Sequence, residues 1–146
     1  MVRLVGGSSY EEGRVEVYYQ GQWGTVCDDE WDLDDANVIC RMLGLPSASH
    51  AWSYAHFGQG SGPITLDDVS CQGYESSIAD CPHRAWLEHN CGHSEDAGVT
   101  CGRVITTPSP GVFSQSFGSS LNLFSQKCFV KRNKAWYLKM VQLQSL

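Results

Sequence analysis

An α+β domain is the fold class that this sequence predicts, and three observations predict it. Short segments with strand-like alternation fill the first 27 residues and return near residue 100. One segment after Asp34 carries helical apolar spacing. Six cysteines, at positions 27, 40, 71, 81, 91 and 101, fall within about a hundred residues. An even set at this density reads as a disulfide framework, and so as a chain made for an oxidising, extracellular or secretory place. A zinc site is the weaker reading, because no two of the six have C-x2-C spacing.

The elements follow in order. Val2–Val5 is a short apolar strand, broken by Gly6-Gly7-Ser8-Ser9. Gly13–Tyr19 alternates, with Val15, Val17 and Tyr19 on one face and Arg14, Glu16 and Tyr18 on the other, which predicts a half-buried strand. Gln20-Gly21-Gln22 turns the chain into a return strand, Trp23–Cys27. Asp34 and Asp35 then cap an amphipathic helix carried by Ala36, Val38, Ile39, Met42 and Leu43, and Gly44 and Pro46 end it. Residues 47–62 read as a loop around Trp52, Tyr54 and Phe57. Pro63–Val69 reads as a strand, Ser76–Asp80 as one helical turn, residues 82–97 as irregular, and Val99–Cys101 as a last strand. Short strands with one main helix make the class α+β.

Charge divides the 146 residues in two. Residues 1–102 carry four arginines against all sixteen carboxylates, a net of −12, whereas residues 103–146 carry six basic residues and no carboxylate, a net of +6. The first part is expected to be the domain and 103–146 a basic, Ser-rich, flexible tail behind the linker-like Thr106-Thr107-Pro108-Ser109-Pro110-Gly111. A membrane-surface or partner-binding helix is the other reading of the tail, and its apolar residues do not share one clean helical face. Cys128 is an odd, free thiol. An acidic domain repels nucleic acid and attracts divalent or basic partners. No stretch approaches the ~18 apolar residues of a membrane-spanning helix. The N-terminus lacks a signal-peptide core, so a removed signal or an excised module is expected.

Two aspartate pairs stand out, Asp28-Asp29 beside Cys27 and Asp67-Asp68 near Cys71. Adjacent side chains in a strand point to opposite faces, so each pair chelates only where the backbone turns. Clustered carboxylates repel one another, and an oxygen-seeking cation such as calcium relieves that repulsion. The alternative is solvated surface charge. His83, His89 and His93 share one loop, but their spacings fit no zinc motif. No nucleophile elbow, P-loop or His-Glu-x-x-His is present, so no enzyme is expected.

Val2-Arg3-Leu4-Val5-Gly6-Gly7, Gly13-Arg14-Val15-Glu16-Val17 and Trp23-Gly24-Thr25-Val26-Cys27-Asp28-Asp29 resemble the opening of a scavenger receptor cysteine-rich (SRCR) domain. Asp35–Gly44 is similar to the family's helix, Phe57–Ile64 and Leu66–Val69 to its middle, and His89–Val99 to its end. The resemblance covers residues 2–102. It implies a small curved antiparallel sheet packed on one main helix. Tyr10 and Leu45 stand where the eight-cysteine class has an extra bridge, so the chain is similar to the six-cysteine group A class. Six cysteines alone allow on the order of 15 pairings. The resemblance implies one: Cys27–Cys91, Cys40–Cys101 and Cys71–Cys81.

It also implies two cation sites. The first uses Asp28, Asp29 and Glu95. The second uses Asp67, Asp68 and Asn90, with Asp35 as a neighbour. Calcium is the expected ion, with magnesium as the alternative. The implied activity is extracellular, calcium-dependent binding of polyanions, microbial surfaces or protein ligands. The rival expectation is an accessory interaction module of a larger secreted or membrane protein, without metal chemistry. SRCR modules often occur in tandem or on trimeric stalks, so oligomerisation is expected through a parent protein.

Overall fold

A computed structural model describes residues 1–105 and the strands Cys128–Arg132 and Ala135–Lys139. In the first unit, β1 (Val2–Gly6) and β2 (Glu12–Tyr19) pair antiparallel, as do β2 and β3 (Gln22–Val26). The predicted turn at Gln20-Gly21 joins β2 and β3, and both turn residues have positive φ, 47° and 85°. Val15 and Val17 face the core, almost fully buried, as their alternation predicts. The N-terminal half of β2 pairs with β6 (Gly98–Cys101), so the sheet curls around β2.

Two features of the sheet depart from the sequence reading. The segment read as loop contains β4 (Ala48–Trp52), an antiparallel edge strand on β6. Its side chains give no apolar alternation, with Ser49 and His50 exposed and none of the five fully buried. Of the Pro63–Val69 segment only β5 (Ile64–Leu66) is strand, and it runs parallel to β3. The sheet is otherwise antiparallel. Asp67 and Asp68 therefore lie beyond the strand end, where Asp68 takes φ 50°.

The helix α1 spans Leu33–Met42. Its N-cap is Asp32, a correction to the predicted capping by Asp34 and Asp35. Asp32 Oδ1 accepts from the Asp34 and Asp35 N–H groups, and Asp35 Oδ2 accepts in return from the Asp32 N–H at 2.8 Å. This reciprocal box satisfies donors that the first turn leaves orphaned. Leu33 is exposed, so the first turn shows no apolar signal. Ala36, Val38, Ile39 and Cys40 pack with Val15, Val26, Leu66, Val69, Ile78 and Val99 in one core.

The disulfides are Cys27–Cys91, Cys40–Cys101 and Cys71–Cys81, as expected. The first two span 64 and 61 residues of sequence. Loops of that length stabilise by ~4 kcal/mol each in the chain-entropy model. Cys40–Cys101 ties α1 to β6. In the second unit, β7 (Cys128–Arg132) and β8 (Ala135–Lys139) pair antiparallel, and neither is the helix weighed for this region. The expected flexibility of the tail concerns residues that lie mostly outside the described ones.

Candidate functional site

The site forms where the chain leaves β3. Asp28 donates its N–H to the Glu95 carbonyl at 2.8 Å, and Ala97 donates to the Val26 carbonyl at 2.8 Å. Residues 95–97 thus run beside 26–28, and the Cys27–Cys91 bridge closes the loop that carries Asn90 and Glu95. As a result Asp28, Asp29 and Glu95 each present a carboxylate oxygen within 4.8 Å of the other two. This is the first predicted set.

Two of these carboxylates are held by backbone. Asp28 Oδ2 accepts from the Tyr54 N–H at 2.6 Å, and Glu95 Oε2 accepts from the Gly92 N–H at 2.9 Å. Tyr54 and Ala55 both take positive φ, 57° and 49°, and Tyr54 is 83% exposed. Sequence gave no signal for the Tyr54 contact, which is made by backbone. Among the described residues, no arginine, lysine or histidine forms an ion pair with Asp28, Asp29 or Glu95. Burial first, and then Asp67, Glu95, Asp28 and Asp68, push the Asp29 carboxyl above its ordinary value.

The second predicted set is differently placed. Asp67 is fully buried. Its Oδ1 accepts from the Asp68 N–H at 2.7 Å, and its Oδ2 lies 3.6 Å from the Arg84 guanidinium and accepts from the Asn90 N–H at 3.4 Å. The Asn90 amide nitrogen, turned toward the carboxylates, donates to Asp29 Oδ2 and Asp67 Oδ2 at 3.2 Å each. Asn90 therefore bridges the two aspartate pairs as a donor. Asp68 is exposed. Asp35 is buried, and backbone N–H groups occupy both its oxygens: its Oδ1 accepts from the Cys71 N–H at 2.7 Å and its Oδ2 from the Asp32 N–H at 2.8 Å. Burial pushes the Asp35 carboxyl up to about 7.

The donors fit a hard cation at the first set. All three are carboxylate oxygens, the chemistry that calcium and magnesium select. The neighbouring sulfurs of Cys27 and Cys91 are bound to each other and offer no thiolate. The histidines are occupied elsewhere. His93 Nδ1 faces the buried Asp96 carboxylate at 3.0 Å, and its Nε2 faces the Gly62 carbonyl at 3.0 Å. His89 Nδ1 accepts from the Cys91 N–H, and His83 Nδ1 contacts the Arg84 carbonyl. Asp96 also accepts from the Gly60 N–H at 2.6 Å, pinning the 58–62 loop against the sheet. Arg84 and Asp96 are the charged residues of this region that sequence reading left without a role.

Comparison with known proteins accords with the fold. The family model for the scavenger receptor cysteine-rich domain matches residues 5–102. An SRCR domain superfamily protein of Patiria pectinifera is 57% identical over 110 residues, which are 75% of this chain and 10% of that protein. The galectin-3-binding protein of Pongo abelii is 57% identical over 100 residues, 68% of this chain and 17% of that protein. The chain thus spans less than a fifth of the length of these relatives. Among solved structures, the third SRCR domain of murine neurotrypsin has a TM-score of 0.64 at 50% identity, covering 72% of this chain and 98% of that one. The dimeric form of the SRCR domain of mouse MARCO has a TM-score of 0.60 at 52% identity, covering 69% and 94%. SRCR domains are receptor-type modules, typically extracellular. No helix among the described residues is long and apolar enough to cross a membrane. The matched span, the curled sheet on one helix and the three bridges show that this chain belongs to the scavenger receptor cysteine-rich family, in its six-cysteine group A class.

Proposed function

We propose that this domain is an extracellular ligand-binding module whose binding depends on a divalent cation, calcium in the first instance, held by Asp28, Asp29 and Glu95. The observation that carries the reading is the convergence of three carboxylates within 4.8 Å with no basic partner among the described residues. Three carboxylates supply fewer oxygens than the 6–8 that calcium takes, which leaves coordination for water and for an anionic group of a ligand. Bound there, the cation would reverse the local negative field and bridge to sulfate, phosphate or carboxylate. That is how a domain of net charge −12 would bind polyanions, microbial surfaces or an acidic patch on a protein. The residues' own part is to hold three charges in place: Tyr54 and Gly92 orient Asp28 and Glu95 through backbone N–H groups. Asp67, partly offset by Arg84, and Asp68 form the flank of the site rather than a second equal one.

The test is binding of the full chain to immobilised sulfated polysaccharide, with calcium and then with EDTA. Loss of binding in EDTA, and in Glu95→Gln with calcium, is expected. Binding that survives both favours an accessory module without metal chemistry.

A further inference from the structure

We propose that the Cys27–Cys91 disulfide is the reducible bridge of this domain and that the surrounding carboxylates lock it against anionic thiols. Two independent observations meet here. The first is access: Cys27, Cys40, Cys71, Cys81 and Cys101 are all buried, whereas Cys91 is partly exposed. Cys91 is thus the bridge residue that a thiolate entering from solvent meets most readily. The second is charge: one oxygen each of Asp29 and Asp67 lies within 4.8 Å of both Sγ atoms, and Asp29 Oδ2 is 3.6 Å from Cys91 Sγ. Asp28 and Glu95 stand next to Asp29.

Both halves of the exchange reaction feel that charge. The attacking thiolate forms a bond to Cys91 Sγ while the Sγ–Sγ bond breaks and its electron pair leaves on Cys27 Sγ. A second thiol then releases Cys91, and the two reductant thiols end as a disulfide. The approaching anion is repelled by Asp28, Asp29 and Glu95. The leaving thiolate develops within 4.8 Å of Asp29 and Asp67, which raises its basicity and makes it a poorer leaving group. Arg84 offsets Asp67 in part, and Asp29 has no basic partner among the described residues. Asp29 is therefore the main element of the lock. Breaking this bridge removes the covalent tie between the loop at Asn90-Cys91 and Cys27, and leaves Glu95 held beside Asp28 by the Asp28 N–H bond to the Glu95 carbonyl.

The test uses the full chain without divalent cations at pH 8 and low salt. It is reduced by glutathione, whose thiolate form carries net negative charge, or by cysteamine, whose thiolate is balanced by its ammonium. Each rate is normalised to the same thiol acting on a small neutral disulfide. Alkylation and peptide mapping identify which bridge opens first. Cys27–Cys91 is expected to open first, with a normalised cysteamine rate about ten times the glutathione rate. Asp29→Asn should shrink that ratio several-fold. In the wild type, 0.5 M NaCl should shrink it too, because it screens exposed charge without altering the fold. Simultaneous opening of all three bridges, or a normalised ratio near one that salt leaves unchanged, overturns the proposal.

Discussion

Replacing Asp29 with asparagine should stabilise the cation-free domain and at the same time remove its response to calcium. Three carboxylates, those of Asp28, Glu95 and Asp67, present oxygens within 4.8 Å of an Asp29 oxygen. At an effective dielectric of about 20, each such pair repels by roughly 3 kcal/mol. Solvent at this partly exposed position reduces that to ~1 kcal/mol or less per pair. Arg84 offsets part of the Asp67 contribution. The net relief on removing the Asp29 charge is about 1 kcal/mol, which in a domain of this size raises Tm by ~4–8 °C. Asparagine keeps an acceptor for the Asn90 amide, so the substitution changes charge with little change of shape. With calcium at 100 times its Kd, the wild type gains ~2.7 kcal/mol and overtakes the variant. Thermal scans in EDTA and in calcium, at low ionic strength, read both effects. A variant that melts below the wild type in EDTA, or keeps the calcium increment, refutes the reasoning.

Other expectations follow from the same geometry. The folded Asp35 carboxyl titrates at about 7 against an ordinary 3.8, so the folded state binds a proton more tightly than the unfolded one. Stability should therefore rise as pH falls from about 7 toward 4, and be lost as pH rises through 7. General relief of carboxylate repulsion has the same sign, so the difference between wild type and Asp35→Asn in Tm against pH isolates Asp35. Protons compete with calcium for Asp29, whose carboxyl is raised by burial and by its acidic neighbours. Calcium affinity by calorimetry should thus fall as pH is lowered toward the range where Asp29 takes up its proton. Leu66→Ala, at a fully buried β5 position, should cost ~2–5 kcal/mol in chemical denaturation. Truncation after Gly102 should leave the melting temperature and polysaccharide binding unchanged; loss of either would assign a role to residues 103–146.

The legible parts of this fold were those written in side chains close together in sequence. The alternation of Val15, Val17 and Tyr19 and the Gln20-Gly21 turn specify the β2–β3 hairpin locally. β4 was illegible because Ser49 and His50 are exposed and its pairing to β6 is made by backbone across about fifty residues. The start of α1 was misplaced by two residues because Leu33 faces solvent, and only the reciprocal Asp32–Asp35 hydrogen bonds reveal the cap. The parallel β3–β5 pairing has no local signature. For the site, residue type suggested cation chemistry at each aspartate pair, but the meeting of Glu95 with Asp28-Asp29 rests on the backbone pairing of residues 95–97 with 26–28, which has no local signature, and on the Cys27–Cys91 bridge, implied only by resemblance. The burial of Asp67 against Arg84, and the turning of Asn90 into a donor between Asp29 and Asp67, are tertiary facts that spacing does not encode.

Calorimetric titration of calcium into the EDTA-stripped, disulfide-intact protein tests the central claim most directly. The geometry of Asp28, Asp29 and Glu95 predicts saturable binding of one calcium ion per chain, abolished in the double variant Asp28→Asn, Glu95→Gln. No binding heat at any temperature tried, together with an unchanged melting temperature in calcium, would contradict it.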